Sequence, residues 1–253
     1  MQPPQPAASA RLDAALSALA VLALALPFLW GLTRPPSSNF WPLAASWLCV
    51  AALLLISAVQ ALLRPPWGMQ TWARIVGAGL LMAALVSSAI GLAQYFGLAD
   101  MLSPWVYTAP SGQAMGNLRQ RNQQATLLSL GAWALVWWVA QRGGRSERLR
   151  RWPGAAHWGG MALLAIGCAA TASRTGLAQW LLLLVLVVLW HRRLGTAALR
   201  LLLGGCCCMP WPAGSFPCCC GKPRGCRAAG YSRAWRRRTA AAAGGCCGPT
   251  CWT

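Results

Sequence analysis

Acid is what this chain lacks most. Asp13, Asp100 and Glu147 are its only carboxylate side chains, against 22 lysines and arginines and a formal charge of +19. So few acids form no paired-carboxylate motif. Histidine is as scarce, with only His157 and His191. There is no spaced Cys/His zinc pattern and no Gly-rich phosphate loop, so neither a metal nor a cofactor is expected. What the chain has in abundance is apolar residues, 57% of the total, for a mean hydropathy of +0.47. They come in repeated stretches near the length needed to cross a bilayer, which points to an all-α polytopic membrane protein. A charge of +19 in a soluble chain would suggest nucleic acid. Here most arginines fall between apolar stretches, where they orient the chain in its lipid bilayer, and no nucleic-acid partner is expected.

Residues 1–11 read as a mobile, Pro/Ala-rich leader, and residues 12–203 as a membrane domain with about six spans. The expected spans are Leu12–Leu32, Trp41–Leu63, Ile75–Leu98, Gln123–Gln141, His157–Ala172 and Thr175–Trp190. The first could pass for a signal peptide, but further spans follow, so it reads as an uncleaved anchor. Its Pro27 can kink the helix, which neighbouring helices tolerate in a membrane. With the N-terminus cytoplasmic, the inner segments hold Arg11, Arg64, Arg74, the group from Arg142 to Arg151, Arg192, Arg193 and Arg200. Only Arg34, Arg119, Arg121 and Arg174 then fall outside, as the positive-inside rule prefers.

Three of those outer arginines stand beside expected helix starts. In Gln113–Leu128, the longest polar run between apolar segments, Gly116 lets the backbone turn, and Arg119 and Arg121 reach the membrane edge. Asn122 is expected to cap a helix beginning near Gln123 by accepting from a free backbone N–H. Helix N-termini attract anions, and guanidinium pairs with phosphate oxygens in a fork, so the run can form a phosphate seat. It can equally be a solvated polar loop with a capped helix. The second place is Thr171–Gly176, where Ser173 or Thr175 can cap the next helix beside Arg174. That stretch also reads simply as a charged turn in a helical hairpin. One continuous helix from His157 to Trp190 would overshoot a hydrocarbon core of about 30 Å. It would also leave Arg174 near mid-membrane, at roughly 2.5–3.5 kcal/mol. A hairpin is therefore expected.

Gly116-Asn-Leu-Arg-Gln-Arg-Asn-Gln-Gln-Ala125 resembles the glycosylation-ligase signature of bacterial protein O-oligosaccharyltransferases, relatives of the O-antigen ligases and polymerases. Ser173-Arg174-Thr175-Gly176 is similar to a Ser-Arg-small motif of the same superfamily. The resemblance spans roughly residues 12 to 200, its specific part being these two motifs. The signature usually carries His where this chain has Gln123. The resemblance implies glycan transfer from an undecaprenyl-pyrophosphate carrier on the periplasmic face of the bacterial inner membrane. The acceptor is a Ser/Thr hydroxyl of a protein, or a lipid A core sugar in the sister ligases. Arg119, Arg121 and Arg174 would hold the pyrophosphate, and Asn122 and Gln123 would position it. Such families have a longer chain, with a late periplasmic loop that supplies a functional histidine. His157 and His191 fall at the cytoplasmic ends of the expected spans, and Asp100 is an ordinary loop residue, so no catalytic base is assigned. The alternatives are an O-antigen polymerase, or a non-enzymatic transporter or scaffold that binds an anionic solute. The nearly uncharged span interiors count against transport.

The composition changes at residue 204. Most of the 12 cysteines follow, in Cys206–Cys208, Cys218–Cys220, Cys226, Cys246, Cys247 and Cys251. Adjacent triplets do not suit zinc, and the spacing does not suit a secreted disulfide domain. Palmitoylation would not call for so many. In a GC-rich gene, CTG leucine codons read one base late become TGC, which encodes cysteine. Residues 204–253 are thus expected to be out of frame and unstructured. The chain is then expected to be the N-terminal portion of a ligase, inactive by itself.

Overall fold

The computed structural model describes residues 7–31, 40–63, 65–109, 111–142 and 153–209. Arg34, Arg64, Arg145, Arg148, Arg150, Arg151 and the cysteines from Cys218 onward lie outside the described residues. The chain divides into two units, Met1–Pro212 and Ala213–Thr253, and the second lies wholly outside the described residues.

The described residues form helices and connecting turns, with no strand among them. Three helices are long and apolar enough to cross a membrane: α1 (Ala7–Leu29), α2 (Phe40–Leu63) and α3 (Met69–Tyr95). They overlap the first three expected spans, α3 starting at Met69, before the expected Ile75, and ending at Tyr95, before Leu98; Pro27 sits within α1. Next comes α4 (Arg121–Arg142), with 22 residues. Two 16-residue helices follow, α5 (Ala155–Ala170) and α6 (Arg174–Leu189). At 1.5 Å per residue each is about 24 Å long, shorter than the hydrocarbon core. The basic turn α7 (His191–Leu194) and the apolar α8 (Thr196–Cys207) are the last helices among the described residues.

Helices α3 and α4 form the centre. α3 packs against α1, α4 and α5, while α4 also packs against α5, α6 and α8. The core between them is built from Ala83, Ala84, Leu128, Ala132, Leu164, Ala165 and Trp180. Lipid tails are as apolar as leucine, so small residues and close backbone approach must supply the packing. Gly131 shows this: a Cβ there would lie 2.2 Å from Cβ of Ala84. α2 leans on α1 and leaves Trp47, Leu54 and Leu62 exposed, as suits a surface meant for lipid.

Two expectations about boundaries meet different outcomes. α5 and α6 are separate, broken at Thr171–Ser173 where Ala172 takes a φ of 48°, and both pack on α4. The expected start of an unstructured tail at residue 204 is corrected, because α8 continues to Cys207. The reason is packing. Gly204 lies against the Trp158 ring and Gly205 against Met161, so the absent side chains let α8 bury Leu201 and Leu202 completely.

Candidate functional site

One end of the bundle collects the C-terminal ends of α1, α3 and α5, the N-terminal ends of α4 and α6, and the 96–120 loop. The loop carries two 3-10 turns, Ala99–Leu102 and Gly116–Leu118. A polar loop over an apolar bundle needs partners for its backbone groups; the buried amides of Gln94 and Asn117 supply several, and a third, Gln124, joins α4 to α3.

Gln94, in the last turn of α3, is completely buried. Its Nε2 donates to the carbonyls of Tyr107 (2.8 Å) and Gly116 (3.1 Å). Its Oε1 accepts from the N–H groups of Met115 (3.0 Å) and Gly116 (2.8 Å). All four hydrogen-bonding positions of the amide are used. Asn117 ties the loop to α1, donating from Nδ2 to the carbonyls of Leu29 (2.7 Å) and Trp105 (3.1 Å) and accepting from Tyr107 N–H (3.0 Å). Gln124 closes a pair with Ser87 on α3. It accepts from the Ser87 hydroxyl at 2.7 Å and donates to the Ser87 carbonyl at 2.9 Å. Gly116 sits over that pair with φ 59°, and a Cβ there would lie 2.2 Å from Gln124 Oε1. Both conformation and space therefore demand glycine.

The expected site residues stand on this platform. Arg119 is half-buried, with a left-handed φ of 59°, and its guanidinium carbon is 4.7 Å from the centre of the Tyr107 ring. Its buried Nε has no hydrogen-bond partner among the described residues. Arg121 opens α4 and Arg174 opens α6, both exposed. Ser173 caps α6, accepting from Gly176 N–H at 3.3 Å, which is one of the two caps expected.

The expected cap by Asn122 is corrected. The left-handed turn at Arg119 brings the chain into helix at Arg121, with Gln124 N–H already bonded to the Gln120 carbonyl at 3.0 Å. Asn122 thus falls inside the first turn, and its Oδ1 accepts from the Ser173 hydroxyl at 2.8 Å. That bond joins the two motifs. Arg121 and Arg174 are the chain neighbours of its two ends, while Arg119 stays against Tyr107.

Gln123 is exposed and lines a cavity of about 320 Å³ with Phe28, Leu118, Asn122, Thr126 and Leu130. Deeper along α4, Thr126 accepts from Gln179 Nε2 of α6 at 2.9 Å, and the Ser129 hydroxyl lies 3.2 Å from Gln179 Oε1. These three line a second cavity of about 280 Å³, and Thr126 and Leu130 border both. His157 near the start of α5 and His191 after α6 lie at the opposite end of the bundle. No cluster of three His, Cys, Asp or Glu side chains suited to a metal occurs among the described residues. The motif-based view missed Gln94, Asn117, Gln124 and Ser87. A glutamine at the end of an otherwise apolar span was the available signal, because an unpaired amide is expensive there.

A family model for protein glycosylation ligases matches residues 114–139. The match begins two residues before the Gly116–Leu118 turn and runs through most of α4. No curated protein and no solved structure matches the chain.

Proposed function

We propose that this bundle end is the donor seat of a membrane glycan ligase. The enzyme would take an oligosaccharide from an undecaprenyl-pyrophosphate carrier and attach it to a Ser/Thr hydroxyl of a protein, on the periplasmic face of the bacterial inner membrane. The observation that carries this is the 2.8 Å bond from Ser173 to Asn122. It sets the N-termini of α4 and α6 side by side, each opened by an arginine. Two such ends add partial positive charge and unpaired N–H groups to two guanidinium groups, which suits a pyrophosphate. Arg119, stacked on Tyr107 in the loop at the same end, offers a third guanidinium. The distribution of arginines supports the orientation, with the N-terminus inside.

The acceptor hydroxyl oxygen bonds to the anomeric carbon as the bond from that carbon to the pyrophosphate oxygen breaks. The electron pair leaves on the pyrophosphate, and the arginines stabilise that growing charge. The hydroxyl proton passes to the departing pyrophosphate or to solvent, since His157 and His191 lie at the opposite end of the bundle. The described residues at this end contribute donor binding. A lipid A core acceptor, or a second lipid-linked glycan as in a polymerase, would use the same donor seat. The polar seam of Thr126, Ser129 and Gln179 favours a second reading, a transporter of an anionic solute. Apart from the arginines at their ends, α4 and α6 carry no arginine, lysine or acid beside the seam, which weighs against it.

Binding decides between them. The chain in nanodiscs should bind undecaprenyl pyrophosphate more tightly than undecaprenyl phosphate, and Arg174→Ala should remove most of the difference. Equal binding of the two lipids would overturn the donor seat. An alkaline phosphatase fusion should be active after Gly116 and inactive after Gly195; the reverse would overturn the orientation.

A further inference from the structure

The largest of the cavities described lies at the opposite end of the bundle from the two motifs. It has a volume of about 550 Å³ and runs between α1 and α3, bordered by Trp138 of α4. Its walls are Ala18, Val21, Leu22, Ala78 and Met82, with Ser17, Thr71 and Arg74 among the lining. The size falls in the range of pockets that hold small apolar ligands, roughly 300–1,000 Å³.

Depth identifies the occupant. Arg74 lies 20 residues before Gln94 on the same helix, a rise of about 30 Å, which is one hydrocarbon thickness. The loop platform at Gln94 marks one membrane surface, so Arg74 stands at the headgroup level of the other. Trp67 and Trp72, edge to face at 5.3 Å, flank the same level, where indole rings prefer to sit. From Arg74 to Met82 the groove descends about 12 Å along α3 into the acyl region. A single positive charge at headgroup depth above an apolar trough fits one chemistry.

We propose that this groove is a binding site for an anionic phospholipid. Arg74 takes the headgroup phosphate, with the hydroxyls of Thr71 and Ser17 nearby, and one acyl chain lies along Val21, Ala78 and Met82. The guanidinium fork matches phosphate oxygens. The groove wall alone would accept any acyl chain, so preference for an anionic headgroup rests on Arg74. Asp13 lies one turn nearer the end of α1 than Ser17, and its charge opposes anion binding. This site is independent of the donor seat and sits on the other membrane face.

The test uses the full chain purified in neutral detergent, with bound lipid counted by native mass spectrometry and unfolding followed on heating. Phosphatidylglycerol should bind and raise the melting temperature; phosphatidylethanolamine should do so far less. Arg74→Ala should weaken phosphatidylglycerol binding roughly five- to tenfold, the effect of one basic contact at a membrane surface. Arg74→Lys should restore part of it. Ala78→Phe, which keeps the charge but fills the trough, should also lose the bound lipid. Arg74 is exposed, so its variants should fold. Wild-type preference in Arg74→Ala, equal binding of both lipids, or a dimer that closes the groove would each overturn the proposal.

Discussion

Ser173 donates its hydroxyl to Asn122 Oδ1 at 2.8 Å across 51 residues of sequence, while its own oxygen caps α6 through Gly176 N–H. One side chain thus fixes where α6 begins and where it stands against α4. The two roles separate in a double-mutant cycle. Asn122→Ala removes only the interhelical bond, expected at about 0.6 kcal/mol as for such bonds in membranes. Ser173→Ala removes the bond and the cap, about 1 kcal/mol more. The double variant should cost no more than Ser173→Ala, and unfolding in mixed micelles measures it. Strict additivity would show that the two side chains do not interact.

Gln94 should be the least replaceable polar residue of α3. Gln94→Leu leaves four loop groups without their partner, at about 1–3 kcal/mol for each that water cannot reach. A loss of at least 3 kcal/mol is therefore expected. Gly116→Ala attacks the same platform from the other side, through its positive φ and the 2.2 Å approach to Gln124 Oε1. Both variants should expose the 96–120 loop to protease with the transmembrane helices still inserted. A Gln94→Leu protein as stable and as protease-resistant as wild type would refute the clamp.

Much of this architecture was legible in the sequence, for physical reasons. Long apolar runs leave α1, α2 and α3 little alternative in a membrane, and Ser173, which makes the cap of α6, is one of the two residues the sequence offers for it. The break before Arg174 follows from helix length and the cost of a buried charge. What could not be read was tertiary. The backbone at Arg119 goes left-handed under the surrounding contacts, and this moved the start of α4 and gave Asn122 a partner in another helix. Gln94 lay inside a stretch counted as apolar, and only the folded loop shows what its amide holds. The end of α8 was hidden because a change of composition at Gly204 coincides with two glycines that fit against Trp158 and Met161.

α8 offers a direct check on that last point. Gly204→Leu should clash with the Trp158 ring, where a Cβ would lie 2.2 Å from a ring carbon, and cost about 1–3 kcal/mol as overpacking does. A stop codon after Met209 should leave the bundle's melting temperature unchanged. One before Thr196 should lower it, since Met161, Leu164 and Trp180 lose the helix that helps cover them. Equal stability of both truncations would mean that α8 contributes nothing to the core.

The three arginines should not respond alike, and their differences test the donor seat more sharply than their common loss. Arg121 and Arg174 are exposed at helix N-termini, so Arg→Ala should lower affinity for undecaprenyl pyrophosphate without affecting stability. Arg→Lys should rescue each only in part, because lysine keeps the charge but loses the planar fork. Arg119 is held against Tyr107, a stacking worth about 0.5–1 kcal/mol. Tyr107→Leu should therefore weaken binding two- to fivefold at unchanged charge, roughly that energy as an affinity ratio. In an Arg119→Ala background the Tyr107 substitution should have no further effect, since nothing remains to be stacked. Isothermal titration in nanodiscs, over a salt series, measures all of these. If Tyr107→Leu weakens binding as much without Arg119 as with it, the ring acts on the lipid or the loop directly and the arginine is not its intermediary.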